Sequence, residues 1–275
     1  MVIDTDQQEK LKLKKFREWI LSQPRFVSPR TDDVFLLRFL HFRKFNLDET
    51  CKVFEKYMKV RQANPHCYKN LDVHDPQVCD LMKRGYLFPL LERDSQGRTV
   101  IFGRCAAFNQ KYGHRPTDLF RAIMMTLEVL LEDEYNQRNG FVYIFDEEGV
   151  GLSEVTYLGI REIKRLLQSG EKALPVKHKE VHWLHLPHLI RTILVFISSF
   201  LTEKLQNRLY LPKNLGELKI SPSRILPKEY GGTVSWRVMS EKWIKKLEDN
   251  RERLLALDNM VVDENRKNKK IHVKK

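Results

Sequence analysis

The chain has 275 residues, 42% of them hydrophobic and 31% charged, with 12 glycines and 11 prolines. That composition excludes collagen-like, low-complexity and wholly disordered classes, and the length predicts one large domain with a small appendage that needs no disulfide or metal staple. The 49 Lys and Arg against 36 Asp and Glu leave a net charge of +13, an excess that points to a polyanion: nucleic acid, an anionic membrane surface or an acidic partner.

In chain order, residues 7–22 place Leu11, Leu13, Phe16, Trp19 and Ile20 on one side of a helix. Thr31, Asp32 and Asp33 supply N-cap residues for a second helix too apolar for the surface, and Leu47-Asp48 opens a third that stops at Pro65. These three form a small helical lobe over residues 7–70. Two β-like stretches follow, residues 86–91 and 99–103, joined by the turn Arg93-Asp94-Ser95-Gln96-Gly97-Arg98. A helix is predicted from Thr117-Asp118 to about Gln137, ended by Asn139-Gly140. Residues 141–145 are apolar on both faces, as a central parallel strand should be. A helix over 153–169, a strand over 181–186 and a very apolar helix over 187–200 come next. Alternating strands and helices predict an α/β domain, residues 75–235, with a mixed, mainly parallel sheet covered by helices. A charged helix over 236–257 and a disordered lysine-rich tail make up residues 236–275.

Cys51, Cys67, Cys79 and Cys105 show no CxxC spacing, no signal peptide precedes them, and no Asn-x-Ser/Thr acceptor occurs. Reduced thiols in the cytosol are expected. No uninterrupted apolar run exceeds five residues, far short of the roughly 20 that span a bilayer. Val2 excludes N-myristoylation, and the terminal lysines are no prenylation box.

The search for reaction chemistry finds little. There is no GxGxxG after a strand, no GxxxxGK[ST] and no GxSxG. His178, His182, His185 and His188 do not converge, because His182 and His185 point to opposite faces of a strand. They read as structural, and no metal is expected. Asp146-Glu147-Glu148 follows the central strand, where such carboxylates more often cap a helix or pair with lysines than catalyse. No catalytic residue, enzyme activity or cofactor is expected. The nucleic-acid modules are also missing.

What stands out is a contrast. Residues 187–201 carry only His188 and Arg191 as ionisable groups, yet Lys177 and Lys179 precede them, and Lys204 and Arg208 follow one helical turn apart. Such a segment is either a buried core helix with solvated flanks or a movable lid that lies in a membrane interface when open.

Six segments resemble the CRAL-TRIO lipid-binding family, in its branch of cellular retinaldehyde-binding and alpha-tocopherol transfer proteins. They are Phe35-Leu36-Leu37-Arg38-Phe39-Leu40, Gln137-Arg138-Asn139-Gly140, Ile144-Phe145-Asp146-Glu147-Glu148-Gly149, Pro175-Val176-Lys177-His178-Lys179, Phe200-Leu201-Thr202-Glu203-Lys204 and Ile225-Leu226-Pro227-Lys228-Glu229-Tyr230-Gly231-Gly232. They run in the family's order over about residues 10–235. The resemblance implies a sheet flooring an apolar cavity that a mobile helix gates, and a carrier that exchanges one hydrophobic molecule at membranes without covalent chemistry. It implies a phosphoinositide-binding set of Arg43, Lys177, Lys179, Lys204 and Arg208. Pocket residues are then expected from the strand (Phe141, Tyr143, Phe145) and the preceding helix (Ile123, Met124, Leu127, Leu130, Leu131). The gate would present Leu189, Ile193, Leu194, Phe196, Ile197, Phe200 and Leu201. Ile123 and Leu127 stand where the tocopherol-binding relative has serines, so a retinoid, carotenoid or other isoprenoid cargo is as plausible as tocopherol. The expected partners are that lipid and an anionic membrane surface, with the protein monomeric. The rival reading is a phosphoinositide-sensing adaptor that carries nothing.

Overall fold

The computed structural model describes residues 5–164, 174–218, 220 and 223–266. The N-terminal lobe consists of α1 (Thr5–Leu21), a short strand β1 (Phe26–Val27), α2 (Asp33–Phe42) and α3 (Leu47–Ala63). Asp32 caps α2 by accepting from Phe35 N, and Asn46 caps α3 by accepting from Glu49 N. The apolar faces meet in an aromatic cluster in which Phe54 takes Phe16 and Phe39 edge-on, at 5.7 and 5.3 Å between ring centres. Two short helices, α4 (Pro65–Tyr68) and α5 (Pro76–Lys83), lead into the second domain.

There β2 (Leu87–Pro89), β3 (Thr99–Arg104), β4 (Phe141–Asp146), β5 (His178–Leu184) and β6 (Leu209–Tyr210) form one sheet in that spatial order. Only the β2–β3 pair is antiparallel. The doubly apolar β4 is the central strand, with Phe141, Val142 and Ile144 fully buried.

The helix expected over 117–137 is two helices, α6 (Pro116–Leu130) and α7 (Glu134–Asn139). Side chains make the break: Asp133 accepts from Tyr135 N to start α7, while the Asn136 and Gln137 amides donate to the Leu130 and Leu131 carbonyls at the end of α6. Gly140 then turns the chain into β4 at φ +78°; a Cβ there would lie 2.3 Å from the Lys177 carbonyl oxygen, which accepts the Phe141 N–H.

The helix expected over 153–169 is α8 (Leu152–Leu158), interrupted at Gly159 and resumed over 160–164; residues 165–169 lie outside the described part. The apolar helix is α9 (His188–Ser198), followed by the short α10 (Glu203–Gln206).

At the C-terminus the single helix expected over 236–257 is α11 (Trp236–Glu248) and α12 (Arg251–Ala256). Trp243 and Leu247 are buried, Ser240 donates to the Met82 carbonyl, and Arg251 forks onto Asp72. The start of the expected disordered tail is also ordered: β7 (Val261–Val262) pairs antiparallel with β1 and ties the C-terminus to the N-terminal lobe. Residues 267–275 lie outside the described part. No helix among the described residues is long and apolar enough to cross a membrane.

Candidate functional site

Side-chain alternation along the paired strands decides what faces the helices α6, α8 and α9. The registers Gly103↔Phe145 and Phe145↔Trp183 put these three residues side by side on one face of the sheet. At Gly103 a Cβ would come within 2.7 Å of the Phe145 ring, so the absent side chain is what lets that ring lie flat over β3. Cys105 and Glu147, two residues further along, continue the same face into a cavity of about 230 Å³.

Leu119, Phe120 and Ile123 of α6 form one wall, and Val155 and Leu158 of α8 another. The roof is α9 and the residues after it: Ile190, Ile193, Leu194, Ile197, Ser198 and Leu201 face the cavity. On the other side of α9, the adjacent Val195 and Phe196 are each 56% exposed. The exposed side of the helix thus carries two large apolar groups beside the polar His188, Arg191 and Thr192.

Of the expected pocket residues, Ile123 and Phe145 line this cavity. Met124, Leu127, Leu130, Leu131, Phe141 and Tyr143 do not; they belong to the packed core. A wide apolar stripe on a helix does not reveal where the cavity begins, and α6 spends most of its stripe on the core. Tyr143 is drawn toward the cleft end of the sheet by a 2.8 Å hydrogen bond between its hydroxyl and His178 Nδ1. Of the expected gate residues, Ile193, Leu194, Ile197 and Leu201 face the cavity. Phe196 points outward, and Phe200 packs edge-on against it beneath the Lys164 ammonium. The Leu189 side chain lies outside the described part.

Strand parity could have found Cys105 and Glu147, because both continue the alternation that Gly103 and Phe145 begin. Burial holds the Glu147 carboxyl up at about 7, with the Asp146 charge adding to the push and the Cys105 thiol opposing it by a hydrogen bond. Asp146 itself points to the other face, where it accepts from the Tyr230 hydroxyl and pairs with His185 Nδ1 at 2.7 Å. His182 pairs separately with Glu180 at 3.0 Å. His178 is the first residue of β5.

A second concavity, of about 590 Å³, lies where the N-terminal lobe meets the sheet. Arg43, Lys177, Lys179, Lys204 and Arg208 all line it, brought together from the end of α2, the start of β5 and the segment after α9. Three further cations, Lys44, Lys56 and Arg138, join them, and no acidic residue among the described ones does. Among the described residues Arg138 is the one cation of these eight with salt bridges, to Glu134 and Glu9. The Arg43 guanidinium stacks on Phe42 at 4.8 Å, and its Nε is buried without a hydrogen-bond partner. Burial lowers the Lys177 pKa, and the charges of Lys179, Arg138 and Lys44 lower it further. His178 is pushed down to about 4 by burial and by Arg208. Cationic groups that destabilise one another at close range, most of them without a salt bridge among the described residues, make a site that gains from an anion.

The profile of the CRAL/TRIO domain matches residues 83–232, and that of a Pinta-like UBA domain matches residues 5–78. Clavesin-1 of Xenopus laevis is 32% identical over 225 residues, covering 81% of this chain and 67% of its own length. The alpha-tocopherol transfer protein-like protein of Mus musculus is 32% identical over 80% of this chain and 64% of its own. Clavesin-2 of Mus musculus is 30% identical over 80% of this chain and 68% of its own. The chain therefore spans about two thirds of the length of these relatives. The crystal structure of Sfh5 superposes with a TM-score of 0.56 at 14% identity, covering 85% of this chain and 89% of that one, a likeness of fold. An apolar cavity floored by a mixed sheet and roofed by an apolar helix, with the domain match over residues 83–232, makes this chain a member of the CRAL-TRIO family of lipid-binding proteins.

Proposed function

We propose that the protein carries one small hydrophobic lipid of the isoprenoid, retinoid, carotenoid or tocopherol class between membranes in the cytoplasm, without a cofactor and without covalent chemistry. The observation that carries this reading is the adjacency of the two sites along the chain. The lid α9 is flanked by Lys177 and Lys179 on one side and by Lys204 and Arg208 on the other, and all four line the cationic cleft.

A phosphoinositide headgroup engaging Arg43 and these four residues holds both ends of the lid segment against the membrane. Arginines fork onto phosphate oxygens and lysines act as point charges. The lid's outer face, Val195 and Phe196, then meets acyl chains, and its inner face can follow once the cargo leaves. Apolar area exposed in water by an open lid is buried again in the bilayer, at about 25 cal/mol per Å², so opening is favoured only on the membrane.

The test is a transfer assay. Protein loaded from donor vesicles should deliver a fluorescent isoprenoid to acceptor vesicles faster when these contain phosphoinositide. Uptake without that acceleration removes the docking step. Failure to take up lipid from any vesicle, with phosphoinositide binding intact, replaces the carrier with a membrane-sensing adaptor.

A further inference from the structure

The cavity has one polar corner. Glu147 and Cys105 project into it from the ends of β4 and β3, and Tyr86 joins them from the segment before β2. Glu154 and Ser198, elsewhere in the lining, are already engaged: Glu154 accepts from Gly151 N, from the Ser153 hydroxyl and from the Asn109 amide, and the Ser198 hydroxyl donates to the Val195 carbonyl. By contrast, the one side-chain partner of Glu147 among the described residues is the Cys105 thiol, a weak donor. Its carboxyl thus meets the apolar space with hydrogen-bonding capacity to spare.

We propose that Glu147, assisted by the Tyr86 hydroxyl, is the hydrogen-bond donor that fixes the polar end of the cargo, and that the cargo is an apolar molecule ending in an uncharged oxygen acceptor. This deepens the carrier reading above and rests on it. A carboxyl in an apolar cavity donates as the neutral acid, and the value of about 7 keeps about half of it in that form at neutral pH. Two neutral donors side by side, a carboxylic acid and a phenol, match an oxygen with two lone pairs. A carboxylate or phosphate end would meet Glu147 as a like charge, and a plain hydrocarbon would leave the corner unsatisfied.

The titratable groups near Glu147 are Tyr86 ahead of β2, Cys105 after β3 and Glu154 on α8 in the same lining, and Asp146, its neighbour in the chain, acting by charge from the other face. Burial raises Tyr86 and Cys105 well above their usual range, and hydrogen bonds lower Glu154, so none of these three shifts brings a group into the window between pH 6 and 8. A ligand that accepts the Glu147 proton binds the protonated form. Its affinity is therefore level below pH 7 and falls as pH rises above it, by up to about tenfold between pH 6 and 8.

The experiment compares geranylgeranial, geranylgeranoic acid and the hydrocarbon of the same skeleton by displacement of a fluorescent polyene from the full chain at pH 6 and pH 8. The aldehyde should bind about tenfold more tightly than the hydrocarbon at pH 6 and lose that advantage by pH 8. Glu147→Gln, which still donates, should keep the preference but lose its pH dependence. Glu147→Leu should bind aldehyde and hydrocarbon alike, with the hydrocarbon affinity retained as proof that the cavity is intact. Equal, pH-independent affinities for the two in the unmutated protein overturn the proposal and leave the carrier reading standing, as does a preference for the acid. Binding of none of the three overturns both.

Discussion

Glu128 lies between two buried arginines, Arg38 of α2 and Arg61 of α3, at 2.7 and 3.3 Å, and also accepts from the Tyr57 hydroxyl at 2.7 Å. Arg38 and Glu132 make a second pair at 2.6 Å, so α6 is fastened to the N-terminal lobe by charge as well as by packing. Desolvating such groups costs several kcal/mol each, repaid only while every partner is present. Glu128→Leu should therefore destabilise the fold by about 3–5 kcal/mol, because two guanidinium groups lose their shared carboxylate. Replacing Arg38 and Arg61 by Met in the same chain should recover most of the loss. Denaturant midpoints of the two variants check this; equal midpoints would mean that the carboxylate is not the clasp. None of it was legible in the sequence, since an arginine in an apolar helix looks the same whether it reaches solvent or a glutamate ninety residues away.

The helix α9 shows what an element can and cannot disclose beforehand. Residues 187–201 announce a helix by composition, and the helix α9 is there, but apolar side chains stand on its exposed side as well as its buried one, so being apolar alone could not assign residues to its faces. Contacts assign them: Ile190 and Ile197 are buried toward the cavity, while Val195 and Phe196 are left outside. The same limit explains α6, whose stripe was legible and whose division between core and cavity was not. By contrast, β4 and its neighbours were readable, because a strand apolar on both faces has to be central and a period of two fixes which residues share a side. The two faces of α9 should separate in function. Val195→Ser with Phe196→Ser should slow delivery to vesicles at least tenfold and leave cargo affinity in solution unchanged, because only the membrane contact is lost. Ile193→Ser with Ile197→Ser should weaken retention of cargo in solution, measured by displacement of a fluorescent lipid. Equal effects of the two pairs on both readouts would refute a two-faced lid.

For the molecule as a whole, the net charge of +13 raised the choice between a general polyanion affinity and a local site. Among the described residues the cleft collects eight cations and no acid, while basic residues elsewhere are interleaved with carboxylates, as in the pairs Arg25–Glu55, Arg84–Asp80 and Arg251–Asp72. Charge at a distance is screened within about 8 Å at physiological ionic strength, whereas a concave site of one sign keeps its field. Two double variants separate these cases. Lys179→Glu with Lys204→Glu changes the cleft, and Lys242→Glu with Lys246→Glu changes exposed positions on α11, yet both bring the chain to the same net charge of +9. If the cleft is the docking site, the first variant loses binding to phosphoinositide vesicles by tenfold or more, since each basic group near an anionic leaflet contributes about 1 kcal/mol. The second should lose only a small, salt-sensitive fraction. Equal losses in vesicle co-sedimentation would mean that net charge does the docking. The five cleft residues named from the sequence come from segments up to 165 positions apart. Their meeting depends on Gly140 allowing the Lys177 backbone against β4, and on the N-terminal lobe being clasped where Arg43 faces β5. A loosened clasp should therefore weaken docking as well as stability: at temperatures where Glu128→Leu remains folded, its vesicle binding should already be reduced, while Arg38→Met, Arg61→Met and Glu128→Leu combined should restore both.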